Sequence, residues 1–353
     1  MIESVRLHNF RSYKQANYAF SKKTNVIAGP NGSGKTNLIE AIIVGATGKS
    51  YRASDLELIK DKSDWLRIDM SLSDSSVRTI KISKDQNRAI KTIDINGKNY
   101  TRITQSSKIP VVVFEPNQLQ IISGSPDKRR DYLDNIIMQQ VHGYYSTTAK
   151  YKKALTQRNN LLKQGVINPS HIFPWDLRLS KLGGEITKQR TKYLEDAAKL
   201  ISDTYKIISG TKDVARLIYK HTWPIETYES SFFKSLEKSI ETDKNRGFTT
   251  TGPHREDINL LINDRNVQTK ASRGEARSLL FTLKIVELKT LEEALNKKPI
   301  LLLDDIFSEL DVNRRTNLTK EINNYQVFIT TTNADIARGQ FTKPSMLIFN
   351  LTN

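Results

Sequence analysis

The 353-residue sequence contains no cysteine. That absence excludes disulfides and cysteine-based zinc sites, and it suits a cytosolic protein. The five histidines show no metal-ligand spacing. No stretch approaches eighteen uninterrupted apolar residues, so no membrane-spanning helix is expected. The opening Met1–His8 alternates like a strand and lacks the apolar core of a secretion signal. A cytoplasmic location without membrane partners is therefore the expectation. Negative charge is scarce as well: 38 acidic residues face 55 lysines and arginines, a formal net charge of +17. Such a balance suits a polyanionic partner, because each neutralised phosphate releases counterions. A solvated lysine-rich surface is the plainer alternative.

What is present begins with Gly29-Pro30-Asn31-Gly32-Ser33-Gly34-Lys35-Thr36. It follows the apolar run Asn25–Ala28 and leads into Leu38, Ile39, Ala41, Ile42 and Ile43, which gives strand, glycine loop and helix in the G-x-x-x-x-G-K-[ST] pattern. Successive backbone N–H groups turn inward on the β- and γ-phosphates of a nucleotide only where glycine admits the dihedrals. Lys35 adds a mobile cation, the Thr36 hydroxyl is a candidate Mg²⁺ ligand, and the helix N-terminus favours an anion. ATP and Mg²⁺ are the implied cofactors. Far downstream, the apolar run Ile300–Leu303 ends in Asp304 and Asp305. Asp304 is placed to hold the metal through water. Asp305 points the other way off the strand end, as general base or water-orienter. A buried strand capped by an acidic turn is the structural alternative.

Ser272-Arg273-Gly274-Glu275 precedes an amphipathic run through Leu279, Leu280, Leu283, Val286 and Leu288. Serine followed three residues later by glutamate also fits an ordinary capping box. Between Lys150 and Lys192, ten lysines and arginines stand against only Asp176 and Glu185, with Tyr151, Phe173 and Trp175 interspersed. Solvated helix faces normally mix signs, so Lys150, Lys152, Lys153 and Arg158 are candidate DNA contacts. No base-reading module is visible.

The patterning predicts an α/β protein: an ATPase lobe formed by both chain ends, with an inserted mainly helical lobe. Residues 1–115 read as strands around one helix, 116–247 as the insertion, and 248–353 as the return to the ATPase lobe. Pro169 and Pro174 are expected to break the helical stretch. Ile258–Ile262 running into Asn263-Asp264 reads as a hairpin.

The order of these parts is similar to that of ABC-type ATPases of the SMC group. Within that group the chain resembles the RecF family of bacterial recombination mediators. The blocks that carry this are Leu7–Tyr13, Gly48–Arg52, Gly124–Arg130 with Leu133-Asp134, Thr251–Arg255, and Ser308-Glu309-Leu310-Asp311 after the acidic strand. They span residues 2 to about 335.

The resemblance implies an ATP-dependent homodimer in which Ser272 and Gly274 of one subunit reach the γ-phosphate held by the other. Lys35, Ser272 and Asp305 would then be catalytic, and Arg11 either reaches the nucleotide or pairs with an acid on the surface. The resemblance also implies DNA binding at gaps or junctions between single and double strands, with RecO and RecR as partners in loading recombinase. Two departures suit a slow switch: Asp305 stands where glutamate is usual, and Thr330–Thr332 stand where a histidine is usual. Gln118 is the candidate glutamine of the loop after the Pro110–Phe114 strand. A chromosome-organising ATPase would carry a far longer coiled coil than this insertion, whose apolar spacing does not sustain a heptad. A small-molecule phosphotransferase would need a substrate lid and no signature serine.

Overall fold

The computed structural model describes all residues except 87, 165–167, 306–309, 333–345 and 352–353, with only the backbone at 346, 347 and 350. Two compact units emerge: Met1–Gln118 with Glu287–Asn353, and Leu119–Val286.

The first unit is built on a parallel five-stranded sheet. Its strands run in the order Met346–Asn350, Thr24–Ala28, Gln326–Thr331, Ile300–Asp304 and Val111–Phe114. Parallel strands covered on both faces read as unbroken apolar runs. The strands Thr24–Ala28, Ile300–Asp304 and Gln326–Thr331 are buried at every position. Helix Lys35–Thr47 has ten of its thirteen residues buried, too many for a surface helix with one apolar stripe. It lies between the parallel sheet and a second, antiparallel one. That sheet orders Tyr13–Ala19, Ile2–Phe10, Trp65–Leu72, Val77–Asp85, Arg88–Ile95 and Lys98–Tyr100. Leu66, Ile68, Met70, Ile80 and Ile82 point inward from it and alternate with exposed or half-buried residues. Gly45 lets this sheet close on the helix: a Cβ there would lie 2.3 Å from Met70 Cε.

The second unit pairs helix Tyr144–Lys163 with the 41-residue helix Pro169–Ser209. Pro126–Gln140, Tyr228–Lys238 and the small antiparallel sheet Arg265–Asn266, Asp257–Ile262, Ala215–Lys220 complete it. Pro169 sits at the start of the long helix, capped by Asn168, whose side chain accepts from the Ser170 amide at 3.0 Å. Pro174, expected to break it, lies inside it. A proline this near the N-terminus removes one intrahelical bond, and the apolar stripe through Leu179, Ile186, Leu194 and Ile201 outweighs that loss.

The division also falls elsewhere than expected from sequence. Residues 248–286 belong with the helical unit, because Asp257–Ile262 pairs along its whole length with Ala215–Lys220. Helix Arg273–Leu295 runs across the division. Among the described residues no helix is long and apolar enough to cross a membrane.

Candidate functional site

The glycine loop leaves the buried strand Thr24–Ala28 at the carboxyl edge of the parallel sheet, and Gly34 caps the helix that follows. Gly32 and Gly34 take φ of 84° and 94°, backbone that side chains rarely adopt. A Cβ on Gly34 would also meet the Ser12 and Tyr13 hydroxyls at 3.0 Å. Lys35 is largely buried, and its Nζ donates to the carbonyls of Gly29 and Pro30 at 2.8 and 2.9 Å. The ammonium therefore curls back over the loop. Ser33 Oγ is buried with no hydrogen-bond partner among the described residues.

Parallel pairing sets Asp304 opposite Thr330 and Ala28 opposite Thr331. This register brings Thr36 and Asp304 together across 268 residues: Thr36 Oγ1 donates to Asp304 Oδ1 at 3.3 Å. Thr330 Oγ1 donates to the same oxygen at 2.6 Å and accepts the Asp305 amide at 2.8 Å. One buried hydroxyl thus fixes both aspartates. Asp305 takes a positive φ of 51°, which turns the chain sharply at the strand end. Thr36 and Asp304 are hard oxygen donors of the kind that hold Mg²⁺ together with phosphate oxygens. The orphaned Ser33 hydroxyl fits a phosphate in the same cradle. Ser308 and Glu309 lie outside the described residues.

Behind the loop, Glu40 is a buried carboxylate set in the apolar middle of the helix, between Leu38-Ile39 and Ala41–Val44. It accepts from Arg11 at 2.9 and 3.1 Å, from Arg52 at 3.0 Å and from Ser50 at 2.6 Å. Burial pushes its pKa up, but the bonds from Arg11, Arg52 and Ser50 outweigh that and hold it at about 2. Of the two readings open for Arg11, the structure displays an acid partner, though Glu40 is buried and not on the surface. Gln118 turns toward backbone and accepts the Glu115 amide at 3.4 Å, while Glu115 itself accepts from the Tyr51 hydroxyl at 2.6 Å. Sequence reasoning missed Glu40, Arg52 and the Tyr51–Glu115 pair. A lone acid inside an apolar helix was the available signal for Glu40.

In the second unit Ser272 and Glu275 form the reciprocal capping box: Ser272 N–H donates to Glu275 at 2.7 Å, and Glu275 N–H to Ser272 Oγ at 3.2 Å. Ser272 is exposed and Gly274 half-buried. Lys150, Lys152 and Lys153 are exposed on their helix. Arg158 is a correction to the expected DNA contacts. Its side chain is 0% exposed and bonds Asp176, Asp243, Thr249 and the Leu236 carbonyl at 2.5–3.2 Å. Arg190, counted with the same basic run, is also buried, paired twice to Asp134 and bonded to Tyr219 and the Pro253 carbonyl. Both are core cations neutralised by buried acids.

The blocks at Gly124–Arg130 and Thr251–Arg255 belong to this same interior. Arg129 grips Asp257 and the Gly124 carbonyl, and Arg130 the Glu256 carbonyl. The next residue, Glu256, accepts from Tyr219, Tyr228 and the Thr222 amide. His254 bonds the Tyr151 hydroxyl at 2.7 Å and the Thr249 carbonyl at 3.1 Å, and burial lowers its pKa to about 4. Gly252 admits the Phe232 ring, which a Cβ would meet at 2.4 Å.

With this geometry in place, comparison with known proteins gives a consistent result. Residues 1–345 match the RecF/RecN/SMC N-terminal domain family. The chain is similar to the DNA replication and repair protein RecF of Lachnoclostridium phytofermentans, 35% identical over 338 residues, covering 94% of this chain and 92% of the relative. It is also similar to RecF of Ruminiclostridium cellulolyticum, 33% identical over 349 residues, covering 95% and 93%. Among solved structures, the recombination mediator protein RecF with ATP, of the RecFOR pathway, superposes with a TM-score of 0.82 at 31% identity, covering 95% and 92%. An Smc head bound to the C-terminal winged-helix domain of ScpA matches at a TM-score of 0.55 and 17% identity, which speaks for the fold alone.

Proposed function

The chain belongs to the RecF family within the RecF/RecN/SMC N-terminal domain group, a RecF-type DNA repair and recombination ATPase, and from that premise we propose that ATP binding makes it a DNA-holding dimer. The observation that carries the reading is the direct bond of Thr36 to Asp304, together with the Thr330 hydroxyl that Asp304 shares with the Asp305 amide, beside the glycine loop. In this reading the loop from Gly29 to Thr36, including Pro30, Asn31 and Ser33, takes the triphosphate on its backbone N–H groups. Lys35 exchanges the carbonyls of Gly29 and Pro30 for phosphate oxygens. Thr36 and Asp304 hold Mg²⁺, which when bound offsets charge on the β- and γ-phosphates.

Asp305, fixed by its amide on Thr330, orients the attacking water, and its short side chain supports a slow turnover. Arg11 is freed toward the nucleotide only by leaving Glu40. A second copy completes the site with Ser272, whose hydroxyl accepts from Glu275 and keeps its own proton to donate outward, and with the Gly274 backbone. Lys150, Lys152 and Lys153 contact the DNA phosphates, and hydrolysis releases the DNA. RecO and RecR as partners in loading recombinase are supported by the RecFOR pathway named for the similar solved structures, and binding near gaps or single-to-double-strand junctions is the DNA role that goes with this reading.

Sedimentation with ATP and DNA tests this. Wild type is expected to dimerise with ATP, whereas Ser272→Arg binds ATP and stays monomeric. ATP-saturated wild type that remains monomeric at every concentration, with or without DNA, overturns the composite site.

A further inference from the structure

The antiparallel sheet of the first unit has an outward face that none of the nucleotide chemistry uses. On it lies a groove of about 410 Å³ lined by Trp65, Arg67, Lys81, Ser83, Ile90 and Thr92. Strand register arranges these as two rows. Trp65 pairs with Ser83, which pairs with Ile90; Arg67 pairs with Lys81, which pairs with Thr92. The first row is two apolar walls over a small floor. Trp65 is 48% and Ile90 49% exposed, on strands separated by the one that carries Ser83. Strands lie about 4.8 Å apart, so these walls stand about 10 Å apart, room for a planar ring between them. On the side toward Ile2–Phe10, Trp65 is backed by His8, ring centroids 6.4 Å apart and planes inclined by 28°.

The second row, two residues along each strand, carries the charge. Arg67 is clamped by Asp69 through bonds of 2.8–3.0 Å, and Asp69 is itself held by Thr79 at 2.6 Å. The guanidinium is therefore positioned in advance. Lys81 is exposed beside it. An exposed indole in a slot of ring width, with cations one step along, is complementary to a nucleobase joined to its phosphate. Single strands, whose bases are free to splay out, are bound by such stacking platforms and basic grooves.

We propose that this face is a single-strand binding platform: Trp65 stacks a base against Ile90 while Arg67 and Lys81 hold the adjacent phosphate. The proposal rests on the DNA-binding reading above and adds to it a second, single-strand surface apart from the lysines at 150–153.

The test uses the full chain, with and without saturating ATP, titrated with a short oligothymidylate, the same oligomer made abasic, and a blunt duplex. Indole fluorescence and fluorescence anisotropy are the readouts. Oligothymidylate is expected to quench the fluorescence, with the Trp65 contribution identified by its loss in Trp65→Phe. Trp65→Ala and Lys81→Glu each lower oligothymidylate affinity about tenfold and leave duplex affinity unchanged. Lys150→Glu/Lys152→Glu/Lys153→Glu does the reverse. Thermal melting confirms that the exposed-site variants fold.

Single-strand affinity unchanged in both Trp65→Ala and Lys81→Glu overturns the platform while leaving duplex binding to stand. Equal quenching by the abasic oligomer overturns the stacking. A wild type that binds no DNA of any form even when saturated with ATP overturns the function and the platform together, whereas one that binds the duplex with ATP but oligothymidylate under neither condition overturns the platform alone.

Discussion

The carboxyl edge of the parallel sheet and the interior of the helical unit are both rich in buried charge, and they treat it differently. At the sheet edge Lys35 is held by two neutral carbonyls, and Asp304 by two hydroxyls. Each keeps its charge uncompensated by its immediate partners, and a phosphate or a metal ion can take their place at little electrostatic loss. In the helical unit Arg158 lies between Asp176 and Asp243, and Arg190 on Asp134. Those cations are neutralised and their donors directed into the core, so they have nothing to offer a ligand. The Glu40 cluster stands between the two: its acid is fully enclosed, but Arg11 and Arg52 remain partly exposed. Neutral neighbours around a buried charge mark a place for a ligand; carboxylates that enclose a cation with no exposed face, as around Arg158 and Arg190, mark structure.

The comparison is most sharply tested at Lys35. Lys35→Met is expected to lower ATP affinity on the order of 100-fold, since several charge-assisted bonds to phosphate are lost together; calorimetric titration measures it, and a change below threefold breaks the assignment. Its counterpart is Arg158→Met, which strands two buried acids and is expected to cost about 3–5 kcal/mol of stability. Lys152→Met should stay within about 0.5 kcal/mol. Urea unfolding separates them, and a destabilised Lys152→Met beside an unaffected Arg158→Met would reverse the roles assigned here.

The buried network also predicts a pH dependence. The pKa of His254 is lowered to about 4 by burial, so between about pH 6.5 and 4 the unfolded chain binds a proton that the folded one refuses. Stability is full above pH 6.5 and declines as pH falls toward 4, by about 3 kcal/mol. Unfolding of His254→Gln, followed across that window, should give a flatter profile; an identical slope removes His254 as the cause. A smaller loss than at Lys35 is expected at Thr330. Thr330→Val keeps the shape of the strand but releases Asp304 and Asp305, and is expected to reduce kcat for ATP about tenfold, near 1.4 kcal/mol, with ATP affinity nearly unchanged. Lost ATP binding in this variant would mean that Thr330 serves the nucleotide directly.

Much of the nucleotide site was legible because its parts are local. The glycine loop declares strand, turn and helix within about a dozen residues, and the run Ile300–Asp305 declares a buried strand with carboxylates at its end. The capping box of Ser272 and Glu275 was equally plain from a spacing of three. Glu40 left only a faint trace, one acid among apolar helix residues. Arg158 misled, since a lysine-rich run does not reveal which member turns inward. Pro174 misled for a related reason: packing along the helix Pro169–Ser209 overrides a local breaker near its start.

The sequence by itself determined that a phosphate cradle and an acidic strand exist, because backbone dihedrals and short apolar runs are set by neighbouring residues. Only the tertiary structure decided that Thr330 bridges Asp304 and Asp305, that Asp176 and Asp243 enclose Arg158, and that Trp65 faces Ile90 across Ser83. Those pairings depend on strand register and burial, which are fixed by contacts between segments tens to hundreds of residues apart.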